Sequence, residues 1–234
     1  MGSREIIIKN DHEEISNYAA FLVNKIIKNN NTKITNIALS GGNTPILMFE
    51  KLAKLTKINW SNIHIFLVDE RYVDKSDPDS NFRLIDKHLI SKIEIPKDNI
   101  HYIKYYQDIR KSLLDYKKDL KTHFNLKNNN DLPHFDLIHL GIGGDGHTAS
   151  IFKSEEGENG LLQITQGKKH ARITFTYNVI NNAENIMFLV TGKKKKAIIK
   201  NILENQAVYP ASQVRTSGNL FFLLDEKSAN LLKK

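Results

Sequence analysis

The chain of 234 residues contains no cysteine. Without thiols it can form neither disulfide bonds nor thiolate metal sites, and this absence suits a reducing compartment. No apolar run approaches the roughly 18 residues that a membrane-spanning helix needs, and the first residues lack the apolar core of a signal peptide. From these absences we expect a soluble, cytoplasmic protein without a membrane partner.

Several kinds of catalytic machinery are also missing from the sequence. No Gly-x-Ser-x-Gly motif offers a serine nucleophile, and the absence of cysteine excludes a thiol nucleophile. No group of side chains has the spacing typical of a metal site, so we expect neither a metal nor an organic cofactor. No Pro/Ser-rich linker divides the chain, and its length fits one α/β domain over residues 1–234.

The net charge of +8 and the isoelectric point near 9.4 would suit a nucleic-acid-binding protein. Four consecutive lysines, residues 193–196, strengthen that impression. The other lysines, however, are scattered along every predicted helix and mixed with glutamate and aspartate, as on a solvated surface. We therefore expect no nucleic-acid partner, and a basic balance suits a phosphorylated, anionic substrate.

Short apolar runs alternate with amphipathic stretches along the chain. The runs predict strands at residues 6–8, 34–39, 64–68, 135–140, 172–177, 186–190 and 220–224. Apolar positions at helical spacing predict helices at residues 15–27, 109–124 and 198–203, the first preceded by an Asp11-x-x-Glu14 capping pattern. Strands separated by helices predict an α/β fold, doubly wound and Rossmann-like, with a mostly parallel twisted sheet and helices on both faces.

Residues 141–147, Gly-Ile-Gly-Gly-Asp-Gly-His, follow a predicted strand and form a glycine-rich turn. Glycines let backbone N–H groups approach a ligand, and the imidazole of His147 can act as a base near neutral pH. The same residues would also fit a tight strand-to-helix turn whose histidine only caps the next helix. The other histidines have no such motif and are interpreted as surface or packed residues.

Two further polar segments follow predicted strands. Residues 40–44, Ser-Gly-Gly-Asn-Thr, precede Pro45, so Thr44 is a candidate cap for a helix whose free N–H groups would form an anion site. Asp69-Glu70-Arg71 follows the next strand, and Arg71 could either bind an anion or pair with the two carboxylates before it. Because ligands gather at the carboxyl ends of parallel strands, we expect all three segments to meet at one edge of the sheet.

In order and spacing, these three segments resemble the 6-phosphogluconolactonases, which share their fold with the glucosamine-6-phosphate deaminases. The resemblance covers nearly the whole chain, because later blocks also match, among them Arg172-Ile173-Thr174, Thr191-Gly192 and Tyr209-Pro210. It implies metal-independent hydrolysis of 6-phospho-D-glucono-1,5-lactone to 6-phospho-D-gluconate in the pentose phosphate pathway. The implied binding partner is a phosphorylated sugar lactone.

The resemblance also implies which residues hold the substrate phosphate. They are Ser40, Gly41, Gly42, Asn43 and Thr44, together with the cations Arg71, Arg172 and one lysine of the 193–196 run. An ungapped match selects Lys195, whereas the local Lys-Ala pair would select Lys196. We expect Lys195.

Hydrolysis of a lactone needs a base for the attacking water, donors for the tetrahedral oxyanion and a proton for the leaving ring oxygen. We predict that His147 is the base and later the acid, and that Asp145 orients the histidine or its turn. Asp69 would hold a sugar hydroxyl or orient Arg71. The predicted oxyanion donors are the backbone N–H groups of Gly143, Gly144 and Gly146.

The alternative function on the same fold is isomerisation or deamination of an amino-sugar phosphate. Deaminase relatives usually have an aromatic residue after Asp-Glu and an Asn-Glu pair after the Gly-His, where this chain has Arg71 and Thr148-Ala149-Ser150. The chain also departs from the lactonase pattern at Gly144 and Lys153, where that family often has proline. The first departure loosens the turn that carries His147. The sequence leaves the oligomeric state open.

Overall fold

A computed structural model of the protein describes residues 2–30, 34–153, 160–205 and 207–233. The strands are β1 (Arg4–Lys9), β2 (Thr35–Leu39), β3 (Ile63–Leu67), β4 (Asp69–Arg71), β5 (Ile100–His101), β6 (Leu137–Leu140), β7 (Leu162–Gln166), β8 (Ala171–Phe175), β9 (Asn185–Val190) and β10 (Asn219–Asp225). The helices are α1 (His12–Asn30), α2 (Ile46–Ala53), α3 (Asn81–His88), α4 (Ile109–His123), α5 (Tyr177–Asn181), α6 (Lys196–Leu203) and α7 (Glu226–Ala229).

The main sheet has seven strands in the order β1-β10-β9-β6-β2-β3-β5, and all of its strand pairs are parallel. The chain runs outward from β2 to β3 and β5, and then returns to β6 on the other side of β2. The chain therefore leaves β2 and β6 in opposite directions. In open α/β sheets, a crevice forms at the carboxyl ends of two such strands.

Successive residues of the central strands face opposite sides of the sheet, as the two-residue period of a strand requires. Ala38, Ile138 and Phe188 pack with α4, α5 and α6 in one core, whereas Leu39, Leu137 and Leu189 pack with α1, α2 and α3 in the other. Both faces of the sheet are thus covered by helices. The predicted doubly wound α/β architecture is confirmed.

Residues 172–177 were predicted as a strand, and they overlap β8, but β8 is not part of the main sheet. It pairs antiparallel with β4 and β7 in a second sheet of three strands. The second sheet is joined to the main one where the N–H of Phe175 donates to the carbonyl of Val68, 2.9 Å away. This junction places β4 and β8 just beyond the carboxyl end of β3.

The first helix begins where its capping pattern predicts. Oδ1 of Asp11 accepts a hydrogen bond from the N–H of Glu14 at 2.9 Å, which satisfies one of the free donors at the start of α1. Among the described residues, no helix combines the length and the apolar composition that crossing a membrane requires.

Candidate active site

A cleft of about 220 Å³ opens at the carboxyl ends of β9, β6, β2 and β3, four adjacent strands. It includes the crevice that the strand order places between β2 and β6. The residues that line the cleft are Ser40, Gly41, Gly42, Asn43, Thr44, Pro45, Asp69, Arg71, Asn81, Gly141, Ile142, Gly143, His147, Ala149, Arg172, Leu189, Val190 and Lys195. All three segments singled out in the sequence therefore meet here, whereas Gly144, Asp145 and Gly146 lie outside the lining.

The 40–44 loop presents unpaired backbone donors to the cleft. Among the described residues, no acceptor bonds to the N–H groups of residues 41–44. Helix α2 begins at Ile46 with Pro45 as its N-cap and has no side-chain cap, so the prediction that Thr44 caps the helix is wrong. The carbonyl of Thr44 instead lies 2.8 Å from Nε2 of His12, which anchors the loop. The uncapped end leaves N–H groups and the positive end of a helix dipole open to an anion.

Glycine is required at position 41 because the loop packs against α3. A Cβ atom there would lie 2.0 Å from Oδ1 of Asn81. Asn81 in turn donates from Nδ2 to the carbonyl of Asp69 at 2.9 Å, and its buried Oδ1 has no hydrogen-bond partner in the described part of the chain. Asn81 therefore links the 40–44 loop to β4. No local pattern in the sequence predicts this linking role, because the three segments meet only in the folded chain.

Arg71 and Arg172 are directly opposite each other in the antiparallel pair β4–β8. The guanidinium of Arg71 donates to the backbone carbonyl of Asp79, and among the described residues it forms no ion pair with Asp69 or Glu70. The Nε atoms of both arginines are buried, and no residue that the structure describes forms a hydrogen bond with either of them. Like charges directly across a strand pair destabilise a sheet, so this arrangement favours an anion between or beside the two guanidinium groups.

Asp69 is 3% exposed and contacts the Arg172 side of the cleft. Its Oδ2 accepts a hydrogen bond from Oγ of Ser150 and lies 3.8 Å from Nη1 of Arg172. The same Nη1 donates to Oγ of Ser150 at 3.3 Å. Of the two roles predicted for Asp69, orienting Arg71 has no support in these contacts, because the carboxylate orients Arg172. Ser150 is a further site residue that the sequence did not reveal.

Glu70 organises the chain around Arg71 although its side chain does not line the cleft. Its two carboxylate oxygens accept the N–H groups of Arg71, Asn81 and Phe82 at 2.7–2.8 Å and the hydroxyl of Ser80 at 3.0 Å. Burial raises the pKa of Glu70 to about 7, against the lowering effect of these four hydrogen bonds. One carboxyl thus fixes the end of β4 and the start of α3 together.

The imidazole of His147 is held by the residue two positions before it. Nδ1 of His147 lies 2.5 Å from Oδ1 of Asp145, and the His147 side chain is 29% exposed. Burial alone would raise the pKa of Asp145, but its hydrogen bond to His147 and the charge of that imidazole lower the pKa below the ordinary value. With a proton on Nδ1 donated to Asp145, Nε2 carries the basic lone pair.

The turn that carries His147 uses some of its own backbone donors. Gly143 donates to the carbonyl of His147 at 2.8 Å, and Gly146 donates to the carbonyl of Gly143 at 3.2 Å. Of the three predicted oxyanion donors, only the N–H of Gly144 has no acceptor among the described residues. Glycine is needed at position 143, where a Cβ atom would lie 2.1 Å from Nδ1 of His147.

Lys195 rather than Lys196 reaches the cleft. Nζ of Lys195 donates to the carbonyl of Ile142 at 2.6 Å, which places an ammonium group beside the 141–147 turn. Burial lowers the pKa of Lys195, and the nearby charge of Asp145 partly opposes that effect. Lys196 is the first residue of α6 and does not line the cleft.

Residues 10–222 match the model of a family described as glucosamine-6-phosphate isomerases/6-phosphogluconolactonase. Among curated proteins, the 6-phosphogluconolactonase of Synechocystis is 39% identical over 204 residues, which cover 84% of this chain and 84% of that protein. The 6-phosphogluconolactonase of Thermotoga maritima is 37% identical over 183 residues, which cover 76% of this chain and 79% of that protein.

Solved structures include the same architecture. The crystal structure of the Thermotoga maritima 6-phosphogluconolactonase superposes with a TM-score of 0.86 at 31% identity, covering 95% of this chain and 100% of that one. A monomeric glucosamine-6-phosphate deaminase superposes with a TM-score of 0.83 at 18% identity, covering 97% of this chain and 99% of that one. The second likeness concerns the fold alone, so the fold does not separate the two activities.

Proposed function

Because the chain belongs to the glucosamine-6-phosphate isomerase/6-phosphogluconolactonase family, we propose that it hydrolyses 6-phospho-D-glucono-1,5-lactone with His147 as the base. The activity is lactone hydrolysis, which yields 6-phospho-D-gluconate in the pentose phosphate pathway. The observation that carries the proposed mechanism is that a single cleft brings together a base and a set of anion-binding groups. This cleft has an imidazole oriented by a carboxylate at one side and, at the other, two arginines beside an uncapped helix.

The phosphate of the substrate binds between the 40–44 loop and the two arginines. The free N–H groups of the loop supply short donors, and the guanidinium groups of Arg71 and Arg172 supply charge-assisted ones. Asp69 and Ser150 act on this end of the substrate indirectly, because they fix the direction of Arg172. Lys195 supplies a third cation near the glycine-rich turn.

The reaction begins when Nε2 of His147 removes a proton from a water molecule that attacks the lactone carbonyl. Asp145 keeps the proton on Nδ1 and stabilises the imidazolium that forms. The negative charge then lies on the former carbonyl oxygen. The donor assigned to it is the N–H of Gly144, which adjoins the lining residue Gly143 and has no acceptor among the described residues. When the tetrahedral intermediate collapses, the ester bond to the ring oxygen breaks and the imidazolium returns its proton to that oxygen.

A coupled assay tests the function directly. The purified protein should release 6-phosphogluconate faster than the spontaneous hydrolysis of the lactone, and a chelator should leave that rate unchanged. Ammonia release from glucosamine 6-phosphate at a comparable rate would assign the chain to the deaminase branch instead. Loss of the lactonase rate on chelation, with recovery on adding zinc, would overturn the metal-free mechanism.

A second arm of the assay tests the phosphate end. Arg71→Ala and Arg172→Ala should each lower kcat/KM for the phosphorylated lactone roughly 10- to 100-fold, since a hydrogen bond to a charged group contributes roughly 1.5–3 kcal/mol. Unphosphorylated gluconolactone should be hydrolysed at nearly the wild-type rate by both variants. Arg83→Ala is the matched control, because Arg83 is exposed on α3 and does not line the cleft. Equal losses on both substrates would show that the arginines do not bind phosphate.

A further inference from the structure

Three histidines form a second cluster, away from the cleft. His64 is in β3, His101 is in β5, and His123 is the last residue of α4. The active-site residues lie beyond the carboxyl end of β3, whereas His64 is the second residue of that strand. The sequence predicts only surface or packed positions for all three, because three separate elements supply them and no local spacing marks them.

The three rings approach one another closely enough to share a ligand. One nitrogen from each ring lies within 4.8 Å of the other two. Nδ1 of His64 is 3.0 Å from Nε2 of His101, and the rings of His64 and His123 have centroids 4.4 Å apart. In a tetrahedral zinc site with Zn–N bonds of about 2.0–2.1 Å, ligand nitrogens lie about 3.3–3.4 Å apart. The His64–His101 pair is already near that spacing, and the His123 nitrogen, at most 4.8 Å from the other two, completes the set on moving no more than about 1.5 Å closer.

Second partners orient two of the rings as metal sites require. Oδ2 of Asp119 lies 2.9 Å from Nδ1 of His101, so a proton on Nδ1 leaves the lone pair of Nε2 directed toward His64. This is the carboxylate–histidine pairing that fixes the tautomer of zinc-ligating histidines. Oδ1 of Asn36 lies 2.7 Å from Nε2 of His123 and fixes the tautomer of that ring in the same way.

The cluster borders a hollow through one of its members. His101 forms part of the wall of a hollow of about 510 Å³, whose charged lining residues are Lys97, Asp98, Lys104, Asp115, Lys118 and Asp119. Positive and negative side chains balance there, so the hollow does not repel a cation, and water entering it can supply a fourth ligand. On the other side, Phe66 stacks on His101 with ring centroids 4.0 Å apart and closes the cluster toward the core.

We propose that His64, His101 and His123 form a binding site for one zinc ion, separate from the catalytic cleft. Imidazole nitrogens are ligands that Zn²⁺ binds well, and three of them with an open fourth position complete its usual tetrahedral set. The ion would join β3, the two-residue edge strand β5 and the end of α4. Its expected effect is therefore on stability, and catalysis does not require it.

Titration of the chelator-treated full-length protein with Zn²⁺ tests the site by calorimetry and by thermal unfolding. The wild type should bind one ion per chain, and Tm should rise roughly 5–10 °C at a free zinc concentration 100 times Kd. His101→Gln and His123→Gln should each weaken binding about 10-fold or more and remove most of the Tm shift. His134→Gln, at an exposed histidine outside the cluster, is the matched control and should bind zinc as the wild type does.

Two further measurements distinguish zinc bound at this cluster from zinc bound elsewhere on the chain. Both cluster variants should keep lactonase activity, which shows that they fold, and His147→Ala should keep zinc binding. Loss of zinc binding in His147→Ala would place the ion in the cleft and overturn the proposal. So would binding that is unchanged in both cluster variants, or no binding to the wild type at micromolar zinc.

Discussion

At the scale of single residues, the proposed mechanism depends on the contact between His147 and Asp145. His147→Ala should lower kcat by about 10²-fold or more, because the proposed general base acts on the transition state and the proposed phosphate site is formed by other residues of the cleft. Binding of the product 6-phosphogluconate, measured by calorimetry, should change little. Asp145→Asn should lower kcat less, since the imidazole remains but loses the carboxylate charge that stabilises its protonated form. A His147→Ala enzyme within threefold of the wild-type rate would mean that another group is the base.

The two neighbouring lysines at the start of α6 give an internal comparison. Lys195→Ala should lower kcat/KM for the phosphorylated lactone roughly 10-fold, because its ammonium lies in the cleft and donates to Ile142. Lys196→Ala, which changes a residue outside the lining, should stay near the wild-type value. A larger loss at Lys196, seen only with the phosphorylated lactone, would show that Lys196 and not Lys195 is the lysine that binds the phosphate. An equal loss at Lys195 for the unphosphorylated lactone would indicate that this lysine supports the turn.

The sequence could indicate residues whose chemistry is visible locally and could not indicate those defined by distant contacts. His147 stands in a glycine-rich turn at a strand end, so its environment follows from its neighbours in the chain. Ser150 matters because it bridges Asp69 and Arg172, which come from two different strands. The pairing of β4 with β8 that brings these residues together is a tertiary contact without a local signal.

At the scale of elements, the segment from β4 to α3 is a single unit built around Glu70. Glu70→Ala would leave three backbone N–H groups and the Ser80 hydroxyl without their acceptor. Since each unsatisfied buried group costs roughly 1–3 kcal/mol, the free energy of unfolding should fall by about 3 kcal/mol or more. KM for the lactone should also rise, because Arg71 and Asn81 lose their fixed backbone positions. Chemical denaturation and steady-state kinetics measure the two effects.

Two variants bracket the Glu70 prediction. Asp74→Ala removes an exposed carboxylate from the same connecting segment. That carboxylate accepts local hydrogen bonds from Ser76, so its loss should lower the free energy of unfolding much less than Glu70→Ala does and leave KM unchanged. Ser80→Ala removes one donor to Glu70 and the cap of α3, so its effect should fall between the two. If Glu70→Ala were as stable as Asp74→Ala, the carboxyl would not organise the segment.

The sequence predicts strands correctly where a segment is long enough for its pattern of apolar residues to be recognised. Six of the seven predicted strands lie in the main sheet. Five of them are largely buried and read as continuous apolar runs, whereas β1 at the edge is largely exposed. β4 and β5 have only three and two residues, too short for any period to appear. The sequence predicts β8 as a strand but does not predict that it pairs with β4 and β7 in a second sheet. The pairing partners of a strand depend on tertiary packing, which has no local signal.

At the scale of the whole molecule, the position of the cleft follows from the order of the strands. The carboxyl ends of β9, β6, β2 and β3 are neighbours only because β6 inserts between β9 and β2. The sequence predicts that polar loops follow parallel strands, and hence that they share an edge. It does not contain the strand order, which depends on contacts between residues about a hundred positions apart, such as Ile37 with Leu137.

The centre of the sheet also contains a histidine that makes the stability of the whole molecule depend on pH. His139 is fully buried in β6, and neither of its ring nitrogens has a hydrogen-bond partner within residues 2–30, 34–153, 160–205 and 207–233. Burial lowers the pKa of this ring to about 3. The folded state therefore keeps this ring neutral, whereas the unfolded chain protonates it below about pH 6.5, so stability falls as the pH falls from 6.5 toward 3. Between pH 7 and pH 5, protonation of this histidine in the unfolded chain should lower the free energy of unfolding by about 2 kcal/mol.

The variant His139→Leu removes the titrating group and fills a similar volume. Over the same pH interval, its free energy of unfolding, measured in urea, should fall by about 2 kcal/mol less than that of the wild type. The two proteins should show parallel pH dependence above pH 7.5, where the ring is neutral in both states. Parallel curves between pH 7 and pH 5 would show that His139 is protonated equally in the folded and unfolded chains.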